Sequence, residues 1–236
     1  MVRLKDIAQQ AGVSVMTVSK VMRDAPDISA GTKARVRLLA QQLGYMPDAS
    51  AQGLRTRKTR LLGLVIPFTT HPIFARVTMA IDERAAQMGY ELIFCHTLNQ
   101  PEQEEKCIRR LLARRVDGLL IHPVYRLAPT APIYEELRRQ AVPTVLLGHA
   151  APFCNGFINL ETDDLEASQA TTHYLISLGH KQIAFLAGPA SAPWAQERLE
   201  GYRRALREAQ IPVDDHLIFQ AGSTIEEGAK TAFSAG

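Results

Sequence analysis

Apolar and small residues near the amino terminus recur at spacings of three and four, the period of a helix with one buried face. In Ile7–Met22 they fall at Ile7, Ala8, Ala11, Val13, Val18 and Val21, on both sides of Gly12. The pattern predicts two short helices sharing one core. Gly12 supplies the positive φ of the turn between them, and Ser14 caps the second. Ser14, Val15, Met16, Thr17, Ser19, Lys20 and Arg23 are left facing outward. A third helix follows, with Ser29 as its cap and Val36, Leu39, Ala40 and Leu43 on one face. Gly44 ends it, and Tyr45 is the apolar residue after the cap. This is helix-turn-helix spacing, in which the second helix enters a DNA major groove.

From Leu61 the period changes to short apolar runs alternating with amphipathic helices. The runs are LLGLVI (61–66), ELIFC (91–95), DGLLI (117–121), TVLLG (144–148), QIAFLA (182–187) and LIFQ (217–220). Helices are expected near 73–88, 102–115, 132–140, 164–178, 195–209 and 224–235. Pro72 and Pro101 suit first-turn positions, Gly89 and Gly179 suit carboxy-terminal caps, and Asp163 suits an amino-terminal cap. In the helix at Pro101, Glu102, Glu104 and Glu105 open the segment and Arg109, Arg110, Arg114 and Arg115 close it, an order that complements the helix dipole. Alternating strands and helices predict an α/β core with a parallel, doubly wound sheet.

Such sheets bind ligands beyond the carboxyl ends of their strands. That points to PFTTHPIF (67–74), LGHAAPF (147–153) and GPASAPWAQER (188–198). None of these holds a phosphate-cradling GxGxxG, a GxxxxGK[ST] or a nucleophile elbow. His71 and His122 have no Cys, Ser or carboxylate at a catalytic spacing, so no enzyme is expected. Between head and core lies PDASAQGLRTRKT (47–59), polar and basic around one isolated leucine, Leu54. Ala49 and Ala51 allow a short helix there, and Gly53 would cost it about 1 kcal/mol relative to Ala.

Charge sharpens the division. The 236 residues carry a formal net charge of +3, but residues 1–60 hold 11 Lys/Arg against 4 Asp/Glu, and the remainder 16 against 20. A basic head on a mildly acidic body suits nucleic-acid binding. No apolar run is long enough to span a bilayer and no signal segment opens the chain. Cys95, Cys107 and Cys154 form an odd set with no CxxC, which suits a reducing cytosol and predicts neither a disulfide framework nor a metal site. A cytoplasmic protein without a cofactor is expected.

Three segments in order, LKDIAQQAGVSVMTVSKVM, ISAGTKARV and LGYMPDASAQGL, resemble the amino-terminal domain of the lactose-repressor/galactose-repressor (LacI/GalR) family. GLVIPFTTHPIF, LGHKQIAFLAGP and RLEGYRRAL resemble that family's effector-binding core, which is itself similar to periplasmic sugar-binding proteins. The resemblance implies that Val15, Met16 and Lys20 occupy base-reading positions. Leu4, Ser14, Thr17, Ser19, Ser29, Thr32 and Tyr45 would touch the DNA backbone or position the domain. It also implies that Leu54 wedges into the central base step of the operator, with Arg55 and its basic neighbours offsetting phosphate charge. Arg198 matches an effector-contacting arginine. Phe68, His71, Phe74 and Trp194 would line the same crevice, and Gly148 stands where many members carry a polar effector contact.

The implied layout is a helix-turn-helix domain (1–46), a hinge helix or linker (47–60), an amino-terminal core subdomain (61–158) and a partial carboxy-terminal one (159–236). The family pattern continues beyond residue 236, so the chain reads as truncated. The implied function is that of a transcriptional repressor: a homodimer or higher oligomer on pseudo-palindromic double-stranded operator DNA, controlled by a small, sugar-like effector. Two alternatives stand beside it, a DNA-binding fragment without ligand sensing and a stand-alone sugar-binding protein.

Overall fold

The computed structural model describes residues 2–45, 58–222 and 224–234. The chain divides into two compact units, Met1–Arg57 and Lys58–Gly236.

In the first unit, α1 (Leu4–Ala11), α2 (Val15–Met22) and α3 (Ala30–Gln42) close around Ile7, Ala8, Ala11, Val18, Val21, Val36 and Ala40. These are the apolar positions of the helical period, so the pattern maps directly onto the core. Leu4, Val13, Leu39, Leu43 and Tyr45 pack against its rim. Gly12 sits at φ 63°, and the Val13 amide donates back to the Ala8 carbonyl at 3.1 Å. Ser14 Oγ accepts from the Thr17 amide at 3.0 Å, and Ser29 Oγ from the Thr32 amide at 3.3 Å. Both serine caps stand as expected.

The second unit opens with a five-stranded, all-parallel sheet. Its strands are β1 (Leu61–Ile66), β2 (Glu91–His96), β3 (Gly118–Ile121), β4 (Thr144–Leu147) and β5 (Ile158–Leu160), in the order β2-β1-β3-β4-β5. Helices α4 (Pro72–Gln87), α5 (Pro101–Ala113) and α6 (Pro132–Arg139) follow β1, β2 and β3. Each begins with proline, whose missing N–H costs nothing in a first turn. Val65, Ile108, Leu111, Leu119, Ile121, Ile133, Tyr134, Leu137, Leu146 and Phe153 form the central core.

β5 was not expected. It is three residues long with Ile158 and Leu160 exposed, too short for an apolar run, and it pairs parallel to β4 from Val145↔Ile158 to Leu147↔Leu160. The first sheet therefore extends across the subdomain boundary expected at 158/159. A second sheet follows, β6 (Phe185–Ala187) beside β7 (Ile218–Gln220), flanked by α7 (Asp164–Ser177), α8 (Pro193–Glu208) and α9 (Ile225–Ser234). The run QIAFLA contributes only its last three residues as strand. Gly201 lets α7 and α8 meet at their backbones: a Cβ there would stand 2.2 Å from the Leu165 carbonyl oxygen. No helix among the described residues is long and apolar enough to cross a membrane.

Candidate DNA-reading and effector sites

Helix α2 presents its outward face as the period requires. Met16 and Lys20 lie one turn apart, with Val15 beside them; Met16 is 69% and Val15 47% exposed. Thr17 and Ser14 share a hydroxyl–hydroxyl hydrogen bond of 2.9 Å, and the Ser19 carbonyl accepts from Arg23 Nε at 2.9 Å. Ser29 and Thr32 repeat the Ser14–Thr17 arrangement at the start of α3, again at 2.9 Å. Leu4 and Tyr45 are half-buried against the head core. Lys20 Nζ is ion-paired with Asp27 in the turn after α2. Nearby, Asp24 holds Lys33 at 3.1 Å and Arg37 at 2.6 Å, and their hydrogen bonds pull its carboxyl below the ordinary value. Leu54 and Arg55 lie outside the described residues.

In the core, the expected site residues form two groups. Phe74 meets the His71 ring at 5.5 Å and the His122 ring edge-on at 4.8 Å, and His122 continues to Tyr125 at 5.8 Å. His71 also caps α4, its Nδ1 accepting from the Ile73 amide at 3.3 Å. His122 Nδ1 lies 2.6 Å from the Leu147 carbonyl, which can only accept, so the ring carries its proton on Nδ1. Burial lowers the His122 pKa. Phe68 stands half-buried just beyond the end of β1.

The second group is centred on a residue the sequence reading passed over, His149. Its Nε2 lies 2.8 Å from Glu197 Oε2 and 3.7 Å from Asp164 Oδ2. Asp164 Oδ1 takes Arg198 Nε at 2.6 Å, and its Oδ2 accepts from the Thr162 hydroxyl at 2.8 Å. The Arg198 guanidinium lies over the Trp194 ring at 4.8 Å. Spacing alone would have paired Arg198 with Glu197 or Glu200; its partner is Asp164, 34 positions away. Glu200 instead serves Arg204 and Arg207. Asp163 caps α7, accepting from the Glu166 amide at 2.8 Å.

The Tyr125 hydroxyl, donating to the His149 carbonyl at 3.0 Å, joins the two groups. Contacts thus run unbroken from Phe74 through His122, Tyr125 and His149 to Asp164, Glu197, Arg198 and Trp194. Gly148 has its own reason for being glycine: at φ 129°, a Cβ would stand 2.9 Å from Tyr125 Oη. His149, Asp164 and Glu197 also bring possible metal-ligand atoms within 4.8 Å of one another. Those atoms already bond one another, Thr162 and Arg198, so the cluster is internally satisfied. Its chemistry suits a polar ligand: carboxylates that accept, an arginine that donates in a planar fork, and aromatic faces at both ends. A separate cavity of about 580 Å³ opens beyond β6 and β7, lined by Pro189, Phe219 and residues of α9.

Comparison with known proteins agrees with this anatomy. Residues 3–48 match the family described as bacterial regulatory proteins, lacI family. Residues 59–234 match periplasmic binding proteins and the sugar binding domain of the LacI family. The chain is 30% identical to the HTH-type transcriptional regulator DegA of Bacillus subtilis (strain 168), over 96% of this chain and 67% of DegA. It is 33% identical to the HTH-type transcriptional repressor PurR of Actinobacillus pleuropneumoniae serotype 5b (strain L20), over 97% of this chain and 67% of that protein. The lac repressor dimer bound to operator and the anti-inducer ONPF superposes with a TM-score of 0.76 at 30% identity, over 89% of this chain and 63% of that one. The chain spans about two thirds of the length of these relatives. With a helix-turn-helix head and a sugar-binding-type core in the same order, it belongs to the lacI family of bacterial regulatory proteins, DNA-binding regulators of transcription.

Proposed function

We propose that this chain represses transcription by binding pseudo-palindromic operator DNA as a homodimer or higher oligomer, and that a sugar-like small molecule controls its affinity. Val15 and Met16 meet thymine methyl groups in the major groove, and Lys20 reaches guanine O6 and N7. Leu4, Ser14, Thr17, Ser19, Ser29, Thr32 and Tyr45 fix the head on the phosphates. Leu54 wedges the central base step, with Arg55 beside it. The effector sits between a core subdomain spanning 61–158 and one beginning at 159. Phe68, His71 and Phe74 stand on one side, Trp194 and Arg198 on the other. The coupling is reciprocal: an effector that weakens DNA binding binds more weakly to the DNA complex. The reading places the protein in the cytoplasm, as a regulator and not an enzyme.

The observation that carries it is the exposed Val15–Met16 pair one turn from Lys20 on a helix capped by Ser14. The test is a salt-series anisotropy titration of the chain and Leu54→Ala on duplexes selected from a random pool. Affinity should fall steeply with salt as counterions are released, and Leu54→Ala should weaken the selected site far more than random DNA. Salt-indifferent binding, or equal weakening on both duplexes, sinks the reading.

A further inference from the structure

Resting on the reading of α2 as the base-reading helix, we propose that Asp27 is a specificity-determining residue that reads one G·C base pair jointly with Lys20.

Among the described residues of the head there are three acids. Asp6 accepts from the Arg3 amide at 2.8 Å at the start of α1, and Asp24 is committed to Lys33 and Arg37. Asp27 alone of the three pairs with a side chain of α2, and that side chain is Lys20. The two side chains are 37% and 52% exposed, so both stay within reach of a ligand. The turn that carries Asp27 is anchored on either side. Asp24 adopts φ 57° with its carbonyl oxygen 3.3 Å from Lys33 Nζ, and Ser29 caps α3. The carboxyl end of the reading face therefore presents a donor and an acceptor side by side, not a bare ammonium.

A G·C pair offers the complementary order in the major groove. Guanine shows the acceptors N7 and O6, and cytosine N4 follows as a donor. O6 and N4 are hydrogen-bonded to each other, so they lie about 2.9 Å apart. An ammonium over O6 and N7 with a carboxylate on N4 exchanges the ion pair for charge-assisted bonds to both bases. An A·T pair in the same orientation puts adenine N6, a donor, against the ammonium. It also puts thymine O4, an acceptor, against the carboxylate. Lysine alone would tolerate the exchange by moving to adenine N7; the carboxylate cannot. Asp27 thus sharpens the choice mainly by rejecting the wrong pair, and its negative charge near the phosphates lowers affinity for all DNA.

The test uses the full chain. Wild type, Lys20→Ala and Asp27→Ala are titrated against a duplex selected by the wild type from a random-core library, against each of its single-pair variants, and against unselected duplex. Asp27→Ala should bind unselected DNA more tightly. Its preference for G·C over A·T should fall about tenfold or more at one symmetry-related pair, the pair at which Lys20→Ala also loses its preference. Preferences elsewhere should not move. Uniform tightening with the G·C preference intact overturns the proposal, since Asp27 would then merely shield Lys20. If the wild type selects no sequence at all, the assignment of α2 as reader falls, and the proposal with it. Asp27→Asn provides a second variant should the alanine form fail to fold; it should relax the same pair.

Discussion

Glu104 offers the most demanding test of the core. It lies on α5 with a fully buried side chain and serves three partners: the Val124 amide at 2.7 Å, the Tyr134 hydroxyl at 2.8 Å, and the Arg126 guanidinium. Val124 and Arg126 flank Tyr125, and Val124 is two residues from His122, so this carboxylate secures the loop whose His122 and Tyr125 link Phe74 to His149. Glu104→Ala leaves a buried amide, a buried hydroxyl and a mostly buried guanidinium without their acceptor. Each stranded neutral group costs about 1–3 kcal/mol, and breaking a buried ion pair from one side costs about 3–5 kcal/mol. Because Arg126 is 16% exposed and can turn toward water, the net loss should fall near 3–5 kcal/mol. Glu104→Gln keeps an acceptor for Val124 and Tyr134 but turns an NH2 donor toward the Arg126 guanidinium in place of an acceptor, a mismatch present at every pH that should cost about 1–2 kcal/mol.

Urea denaturation followed by Trp194 fluorescence reads this out, since the chain has 1 tryptophan and it lies in the core unit. The pH dependence supplies a second readout. Burial pushes the Glu104 carboxyl above its ordinary value of 4.5, outweighing the donors that favour its charge. A carboxyl with a higher pKa folded than unfolded binds more protons in the native state. Its stabilising contribution is complete below 4.5 and is lost as pH rises through the folded value. The deficit of Glu104→Gln relative to wild type should therefore narrow as pH rises from 4.5. An alanine variant within about 1 kcal/mol of wild type, or a glutamine deficit that widens with pH, would refute the argument.

Two further substitutions probe the head and the second sheet. Ser14→Ala removes the cap of α2 and should destabilise the head by about 1 kcal/mol. In a circular-dichroism melt its transition should move down, with DNA affinity reduced and sequence preference unchanged; an unmoved transition would show that the cap is dispensable. Gly201→Ala forces a Cβ onto the Leu165 carbonyl oxygen, and the overpacking should cost about 1–3 kcal/mol. An unchanged urea midpoint would mean that α7 and α8 separate more easily than their contact suggests.

What could be read before the structure was whatever local spacing controls. The head's core positions follow a helical period, and its caps are one hydroxyl three residues from one amide. Ser14, Ser29 and Asp163 are therefore visible, as are β1, β3 and β4, whose burial makes them apolar runs, and β2, an apolar run although only Cys95 of it is buried. β5 is not, because Ile158 and Leu160 are exposed and only the Asn155–Gly156 turn before an alternating Ile-Asn-Leu marks it. The partners of charged side chains were illegible for a different reason: a charge close in sequence is only one candidate among those the fold brings near. Arg198 had Glu197 and Glu200 within reach along the helix, yet Asp164 on α7 is the group whose buried carboxylate needs a cation more.

Glu104 shows that even such cases leave a trace. Its place near the start of α5 suits a helix dipole, but Glu104, Cys107, Ile108 and Leu111 fall at helical spacing and are all buried. A carboxylate on the apolar stripe of an amphipathic helix cannot be a solvated dipole partner. It must be met by donors from elsewhere in the chain, and here they come from the loop after β3 and from α6. His149 left the same kind of trace, a polar side chain two residues past a buried strand end where parallel sheets gather ligands. The physical rule is that a polar residue in an apolar register marks a long-range partner, though it does not name it. Naming it takes the topology, because β3, β4, α7 and α8 converge on the Tyr125–His149–Arg198 chain only once the sheet order is known.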